Sequence, residues 1–303
     1  MDLVTYGTLC QDNIIQVNKF PIKGDYEPIL HDSTSVAGEA VTPALFLSKW
    51  GKQVRIIGNI LGKDPEGDFV IRELAKRPGI DCSYFVQSDS IRTPYARILA
   101  EKDGDRTIIG YFDHMEMLPL REEHIKDCMF LSIDEYHGQD SINAFRKGKE
   151  NGMTVITADA VNEENPVSFS DVNIISSFYL QCNYKDIDPV EKIRSLHKTT
   201  KNIIILTDGA DKLHVIDREA NCYEMNPFKI ENVVDTTGAG DSFKSGLMLG
   251  LINQWDLEKC IVFASAVAGL NCTKPGAAGN ILEVEEYLDF IKKNDSKIGL
   301  KKI

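Results

Sequence analysis

One nine-residue run carries the clearest chemistry in this sequence: Asp235 to Phe243, which reads DTTGAGDSF. The apolar pair Val233 and Val234 comes before it, and apolar residues at helical spacing come after it. The run is therefore predicted to lie at a strand-to-helix turn. N–H groups at the start of a helix bind anions, because they lack intrahelical acceptors and the helix dipole adds partial positive charge.

Three small residues, Gly238, Ala239 and Gly240, leave the backbone of this turn accessible to a ligand. We expect their N–H groups to form an anion hole for a phosphate. Asp241 is then an unexpected neighbour, because like charges repel, unless its carboxylate accepts the proton of a hydroxyl that attacks a phosphoryl group. The alternative is a tight turn in which Asp241 is an ordinary helix N-cap, and Gly-x-Gly-Asp alone would favour that interpretation.

The complete run closely resembles the second signature of the ribokinase-like (PfkB) family of carbohydrate and nucleoside kinases. The resemblance implies that Asp241 is the catalytic base and that the N–H groups of Gly238 to Asp241 bind the transferred phosphate. It implies an α/β fold, a ribokinase-like three-layer sandwich: a mostly parallel central sheet covered by helices on both faces, with a small β-sheet lid. ATP and Mg²⁺ are the implied cofactors, with K⁺ as the candidate monovalent cation.

Asp12 is the first of the residues predicted to bind the substrate. A carboxylate after a strand can accept two hydrogen bonds from the vicinal hydroxyls of a sugar, although a solvated turn aspartate is the commoner case. The stretch Gly7 to Asp12 resembles the opening of the family, whose aspartate holds substrate hydroxyls. Asn59, in a stretch that resembles another family block, is predicted to line the same cleft.

The stretch Ala37 to Ala44 opens a predicted helix beside a glycine, where backbone can approach a ligand. It resembles the first family signature, which has Gly-Gly and, four residues later, an asparagine that contacts sugar hydroxyls. Gly38 keeps the second glycine, but Ala37 and Thr42 replace the first glycine and the asparagine. Because threonine offers a single hydroxyl on a shorter side chain, the substrate is expected to differ from ribose.

The nucleotide side is predicted from two turns that follow the apolar stretches of the C-terminal half. Thr207 and Gly209 end a buried strand, where α/β sheets commonly bind ligands, and Gly276 follows a long helix. In the family these places border the nucleotide and a monovalent-cation site. The family also has Asn-x-x-Glu for the metal and phosphates, but Ser177 to Leu180 stand there in this chain, so another acid such as Asp159 is the candidate.

The composition of the 303 residues narrows the class of protein. Hydrophobic content of 43% and charged content of 26% are typical of a globular protein. The net charge of −12 argues against nucleic acid as a partner, and the sequence shows neither a signal peptide nor a membrane span. Seven cysteines without a C-x-x-C pair predict reduced thiols and a cytoplasmic location.

The order of predicted elements indicates one domain over residues 1–303. Strand and helix patterns alternate through most of the chain, which predicts a mostly parallel sheet. Two segments, about 12–35 and 92–113, interrupt this alternation and are predicted to pair into the lid. Asp103-Gly104-Asp105 is the hairpin turn of the second segment. The edges of such a sheet often pair between subunits, so a homodimer through the lid is expected.

The leading interpretation is an ATP-dependent kinase that moves the γ-phosphate to a hydroxyl, typically a CH₂OH, of a sugar or sugar derivative. Two alternatives stay open: a nucleoside kinase of the same family, and a catalytically weak homologue that binds a ligand for regulation. A dinucleotide dehydrogenase is excluded because no Gly-x-Gly-x-x-Gly follows the first strand.

Overall fold

The computed structural model describes residues 1–101, 106–161, 166–184, 187–294 and 298–303. Its strands are β1 Leu3–Gly7, β2 Cys10–Val17, β3 His31–Ala37, β4 Val54–Gly58, β5 Leu61–Gly62, β6 Ile80–Asp81, β7 Gln87–Ser88, β8 Tyr95–Glu101, β9 Arg106–Tyr111, β10 Phe130–Ile133, β11 Thr154–Ala158, β12 Val172–Ser176, β13 Ile203–Thr207, β14 Leu213–Ile216, β15 Cys222–Met225 and β16 Lys301–Lys302. Its α-helices are α1 Val41–Lys49, α2 Pro65–Ala75, α3 Glu122–Ile125, α4 Gln139–Glu150, α5 Ser177–Asn183, α6 Pro189–Thr200, α7 Ala239–Ile252, α8 Leu257–Asn271 and α9 Val284–Asn294.

Among the described residues, ten strands form a central sheet in the order β16-β15-β14-β13-β12-β11-β10-β1-β4-β6. Neighbouring strands from β13 to β6 in this order run parallel. The strands β14, β15 and β16 add an antiparallel edge. The predicted mostly parallel sheet is therefore confirmed.

Helices cover both faces of the central sheet. Side chains of a strand alternate between its two sides, so consecutive residues of β1 pack against different helices. Leu3 belongs to a core cluster that includes Phe46 of α1, Leu247 of α7 and Phe263 of α8. The next residue, Val4, belongs to a second cluster that includes Phe145 of α4. These two layers of helices and the sheet between them make the predicted three-layer sandwich.

A separate four-stranded sheet stands apart from the central one, in the order β3-β2-β8-β9. Its two halves come from the two segments predicted to interrupt the alternation, and β2 and β8 join them in parallel. Ile14 and Ile98 lie opposite each other in this pairing and share a small apolar cluster with Ala96, Ala100 and Phe112. The predicted turn at residues 103–105 lies outside the described residues. We call this sheet the small sheet.

One predicted strand is absent from the structure, and two further elements were not predicted. Val233 and Val234 do not form a strand; the N–H groups of Val234 and Asp235 both donate to the carbonyl of Cys272, at 2.8 and 3.2 Å. The hairpin of β14 and β15 and the helix α5 have no counterpart in the sequence-based prediction. In the part of the chain that the structure describes, no helix is both long enough and apolar enough to cross a membrane.

Candidate active site

The carboxyl ends of the parallel strands meet at one edge of the central sheet, and polar side chains follow them there. Asp134 comes directly after β10, Asp159 directly after β11, and Thr207 is the last residue of β13. Helix α7 begins at the same edge, since its residue Lys244 contacts Asp134. Ligands of open α/β sheets bind at this edge, so the candidate active site lies here.

The turn that opens α7 was predicted to form an anion hole, and we call residues 236–241 the anion-hole turn. Gly238 has φ of 70°, and a Cβ there would lie 2.5 Å from the Cα of Ala277, so only glycine fits. The N–H of Ala239 donates to the carbonyl of Thr236 at 3.2 Å, whereas Gly240 and Asp241 have no protein acceptor for their N–H groups among the described residues. The first intrahelical bond runs from the N–H of Ser242 to the carbonyl of Gly238. Two donors therefore stay open at the helix start.

Thr237, within the same turn, provides a further open group. Its N–H donates to Asp235 Oδ1 at 2.8 Å, while its hydroxyl oxygen is buried with no hydrogen-bond partner in the structure as described. Buried polar atoms are normally paired. A hydroxyl without a partner beside open N–H groups fits an anion such as phosphate, which would accept from all of them.

Asp241 lies in the first turn of α7, beside these donors. Its side chain is 29% exposed, and its Oδ1 lies 3.7 Å from Lys244 Nζ. Burial raises the pKa of Asp241 to about 7, Lys244 opposes the rise, and the carboxylates of Asp134, Glu39 and Asp159 add to it. A carboxylate that is half-buried, near neutral pKa and not locked in a close hydrogen bond is suited to accept a proton.

Sequence reasoning did not find the buried ion pair behind Asp241. Lys244 Nζ lies 2.6 Å from Asp134 Oδ2, and both side chains are almost fully buried, at 1% and 2% exposure. The N–H of Ala158 donates to the other oxygen of Asp134 at 2.9 Å. A lysine inside a largely apolar helix was the available signal, because a buried ammonium needs a partner.

Asp12 and its neighbours form the predicted substrate side. Asp12 is 8% exposed, and Cys10 Sγ donates to its Oδ1 at 3.7 Å. Burial raises the pKa of Asp12 to about 6, with Glu39 and Asp235 adding to the rise and the bond from Cys10 opposing it. Glu39 was not predicted as a site residue. It accepts the N–H of Thr8 at 3.2 Å, and its negative charge raises the pKa of both Asp12 and Asp241.

Of the remaining residues predicted to bind the substrate, Thr42 and Asn59 are buried and Gly38 is partly buried. Gly38 has φ of 116°, and a Cβ there would lie 2.1 Å from the carbonyl oxygen of Thr8, so the glycine is required by the fold. Thr42 is 1% exposed in the first turn of α1. Asn59 is 2% exposed and is bonded to backbone: it accepts the N–H of Leu9 at 2.7 Å and donates to the Leu9 carbonyl at 3.2 Å. Asn59 thus holds the loop between β1 and β2, and sugar contacts by Thr42 and Asn59 stay predictions.

The predicted nucleotide residues fall in two places. Thr207 is the last residue of β13, and the exposed Gly209, with φ of 55°, lies two residues after it. Gly276, with φ of 99°, donates its N–H to Asp235 Oδ2 at 2.8 Å and so lies against the anion-hole turn. The small sheet reaches the same turn, because Arg106 of β9 donates a hydrogen bond to Thr236 Oγ1.

The pfkB family carbohydrate kinase model matches residues 1–163 and 175–284 of this sequence. The chain belongs to the pfkB family. It is 23% identical over 295 residues to the 5-dehydro-2-deoxygluconokinase of Clostridium perfringens, covering 87% of this chain and 86% of that one. It is 25% identical over 303 residues to the nucleoside kinase of Methanothermobacter thermautotrophicus, covering 94% of each.

Solved structures of pfkB relatives share the fold. The ribokinase of Arabidopsis thaliana, in complex with ribose and ATP, superposes with a TM-score of 0.79 at 18% identity and covers 96% of this chain and 98% of that one. The predicted ribokinase-like fold and the prediction of a carbohydrate kinase are thus confirmed. The relatives that match act on different acceptors by name, so they do not choose one for this chain.

The positions predicted to replace the Asn-x-x-Glu of this pfkB chain's family are helical in the structure. Ser177 to Leu180 form the first turn of α5, with Ser177 and Leu180 buried. Asp159 stands nearby: its Oδ1 accepts the N–H of Ser176 at 2.8 Å, and its Oδ2 accepts the hydroxyl of Tyr136 at 3.1 Å. Burial raises the pKa of Asp159 to about 6. Within the described ranges, no group of three His, Cys, Asp or Glu side chains could hold a metal alone.

Proposed function

We propose that this pfkB kinase transfers the γ-phosphate of ATP to a hydroxyl group, most simply a CH₂OH, of a sugar or sugar derivative. One observation carries the proposal. Asp241, a carboxylate with a pKa of about 7, stands in the same helical turn as open N–H groups and the unpaired hydroxyl of Thr237. That arrangement combines a base with an anion site, which transfer to an alcohol requires.

Different residues of the chain orient the acceptor, accept its proton and bind the phosphoryl group. Asp12 and the backbone at Gly38 orient the acceptor sugar, since a carboxylate can bind two vicinal hydroxyls. Asp241 accepts the proton of the attacking hydroxyl. The N–H groups of Gly238, Gly240 and Asp241 stabilise the charge of the transferring phosphoryl group, and that of Ala239 joins them only if its bond to the carbonyl of Thr236 is released. Thr207, Gly209 and Gly276 border the nucleotide.

Mg²⁺ is expected with ATP, because it neutralises triphosphate charge and stabilises the phosphoryl transition state. Mg²⁺ usually keeps several waters and needs only one or two carboxylates beside the phosphates. The donor set fits this mode: each oxygen of Asp159 accepts one hydrogen bond and retains a further lone pair. Asp159 would therefore hold the ion through water in place of the absent Asn-x-x-Glu.

The small sheet is proposed as the lid, formed by residues 12–35 and 92–113. The bond from Arg106 to Thr236 supports this, because it connects the sheet to the anion-hole turn. β9 is an edge strand in which Ile108 and Ile109 are 52% and 59% exposed, which supports a homodimer through this sheet. Light scattering of the purified protein tests the dimer, and turnover in K⁺ against Na⁺ buffer tests the predicted K⁺ site.

A cytoplasmic location is proposed as well. All seven cysteines are free, and Cys10, Cys260 and Cys272 are buried as thiols. Such thiols persist where the compartment is reducing. Mass spectrometry of alkylated protein from intact cells tests this by the fraction of thiols that are free.

An ADP-release assay over a panel of sugars, sugar acids and nucleosides tests the proposed function. We expect ADP release with at least one sugar, and a loss of about 10²–10⁴ in turnover for Asp241→Asn, because the base is removed. Asp289→Asn, on an exposed part of α9, is the matched control. Normal turnover of Asp241→Asn would refute the role of the base.

The same assay separates the two alternatives. ADP release with nucleosides alone would identify a nucleoside kinase. A catalytically weak homologue that binds a ligand is favoured by the loss of Asn-x-x-Glu at Ser177 to Leu180. The melting temperature of such a homologue would rise with a member of the panel and a non-hydrolysable ATP analogue. With ATP it would release no ADP with any member of the panel.

A further inference from the structure

A buried lysine stands one helical turn after Asp241, on the side of α7 that faces the sheet. Lys244 Nζ lies 2.6 Å from Asp134 Oδ2 and 3.7 Å from Asp241 Oδ1. Its side chain is 1% exposed, so its ammonium has no access to bulk water. Asp134 is fixed in turn, because its other oxygen accepts the N–H of Ala158 at the end of β11. The end of the sheet, the lysine and the candidate base thus form one chain of contacts.

Stability alone does not account for this pair. Replacing a buried ion pair by apolar side chains of similar volume is often neutral or stabilising, because two charges lose their hydration. The surrounding helix is apolar: Phe243, Leu247 and Met248 are all buried. The ammonium of this pair also reaches a partly exposed carboxylate, that of Asp241.

We propose that Lys244 is a positioning residue for Asp241, tethered by Asp134, and that its ammonium holds the Asp241 carboxylate ionised and in place for proton transfer. This proposal rests on the proposed function only for the role of Asp241 as a base. Neither Lys244 nor Asp134 needs to touch the substrate.

The distances explain how the arrangement would work. At 3.7 Å the ammonium favours the charged carboxylate by Coulomb attraction, but it makes no short hydrogen bond that would compete with an acceptor hydroxyl. Asp134 takes the short hydrogen bond instead and holds the ammonium. Burial alone would lower the pKa of Lys244, but Asp134 and Asp241 raise it above its ordinary value, so Lys244 is charged.

Four ionisable groups act on Asp241 from the elements around it. Lys244 on α7 favours its charged form, and three carboxylates disfavour it: Asp134 after β10, Glu39 before α1 and Asp159 after β11. Removing Lys244 and removing Asp134 should therefore change the proton affinity of Asp241 in opposite directions. A merely structural pair would not produce opposite signs.

The experiment compares the wild type, Lys244→Met, Asp134→Asn and the double variant. Aspartate carboxyl carbons are labelled with ¹³C, and the Asp241 resonance is identified by its absence in Asp241→Asn. The pKa of Asp241 from this titration should be higher by about one unit or more in Lys244→Met and lower in Asp134→Asn. The double variant should give a value between these two. Equal titration in all four proteins, or shifts of the same sign, would overturn the proposal.

Lys292→Met is the matched control, because Lys292 also follows an aspartate, Asp289, by three residues at 3.5 Å, but both are exposed. The Asp241 titration should not change in it. If Lys244→Met fails to fold, the double variant and Asp134→Asn still differ only at residue 244. The titration in the double variant must then be the higher of the two, and an equal or lower value refutes the proposal.

The pH profile of kcat/KM gives a second measurement. In each variant the acidic limb of this profile should shift along the pH axis in the same direction as the pKa of Asp241. On that limb a shift of one unit changes the rate about tenfold. A shift of the titration without a shift of the limb would mean that Lys244 controls the charge of Asp241 but that Asp241 is not the base. The positioning role and the proposed function are thus refuted by different results.

Discussion

The carboxylate of Asp235 accepts the N–H of Gly276 at 2.8 Å and joins two loops that are 41 residues apart in sequence. Its other oxygen accepts the N–H of Thr237, also at 2.8 Å. Asp235 is 3% exposed, so both bonds are shielded from water. The conformation of the anion-hole turn therefore depends on a side chain that precedes it.

Asp235→Asn should lower both stability and nucleotide affinity. The amide keeps one acceptor oxygen but points an NH₂ group at a backbone donor, which leaves a buried N–H unpaired. We expect the free energy of unfolding to fall by about 1–3 kcal/mol and the KM for ATP to rise. Urea denaturation and ATP titration of the rate measure the two effects. Asp289→Asn, which is exposed on α9, should change neither; an Asp235→Asn protein with wild-type stability would contradict this account.

The rate should depend on the ionisation of Asp241. Its pKa is about 7 in the free protein, and only the deprotonated carboxylate can accept a proton. We expect kcat/KM to be constant above pH 8 and to fall about tenfold per unit as the pH drops well below 7. Below pH 6 the protonation of Asp12 should steepen the fall, because its pKa is about 6. A profile that is flat from pH 5 to pH 8 would exclude Asp241 as the base.

Asp12→Asn should exchange activity for stability. Burial raises the pKa of Asp12 from 3.8 to about 6, so the folded protein favours the neutral carboxyl group. The resulting destabilisation is fully present above pH 6 and absent below pH 3.8, and a shift of about two units amounts to at most about 3 kcal/mol. The asparagine variant should therefore gain about 1–3 kcal/mol of unfolding free energy at pH 8, with a gain that shrinks toward pH 4.

Thermal and urea unfolding of Asp12→Asn at pH 8 and pH 4.5 measure this difference, and its turnover should fall because the sugar contact is weakened. Asp32→Asn, on the exposed part of β3 in the same small sheet, is the control and should show no gain at either pH. A gain of equal size at both pH values would mean that burial of charge is not its cause.

Two glycines of the anion-hole turn should respond differently to alanine. Gly238→Ala places a Cβ 2.5 Å from the Cα of Ala277 at a positive φ, so it should cost at least about 1 kcal/mol of unfolding free energy. Gly240→Ala meets no heavy atom within 4 Å and should keep or slightly increase stability. Both should weaken ATP binding, measured by calorimetry, because each adds a methyl group beside the N–H groups proposed to bind the phosphate. Wild-type ATP affinity of Gly240→Ala would place the phosphate elsewhere.

The alternation of strands and helices could be predicted because each unit's pattern is local. Helix α2 is an example, because Asp64 caps it by accepting the N–H of Gly67, three residues away, at 2.8 Å. The hairpin of β14 and β15 escaped prediction because its strands are four residues long each and only partly apolar. The predicted strand at Val233 and Val234 was wrong: apolar type alone indicated it, while their neighbourhood is a loop bonded to Cys272.

The site was predictable only where it is contiguous in sequence. The anion-hole turn and Asp241 lie within a few residues, so their spacing carries the information. Lys244 and Asp134 are 110 residues apart, and their contact depends on which strand ends are neighbours. The hydrogen bonds of the buried Asn59 amide to the backbone of Leu9 also join residues far apart in sequence, and its contact with a substrate stays a prediction.

The position of β1 has a consequence for how the protein folds during synthesis. β1 lies between β4 and β10, with Leu3 opposite both Val54 and Phe130. β1 can pair with β4 early in synthesis, but its other edge stays open until β10 has emerged, more than a hundred residues after β1. Contacts between such distant residues form slowly, so the nascent chain exposes an apolar edge for that interval. Deletion of residues 1–7 would remove the strand that joins β4 and β6 to the rest of the central sheet.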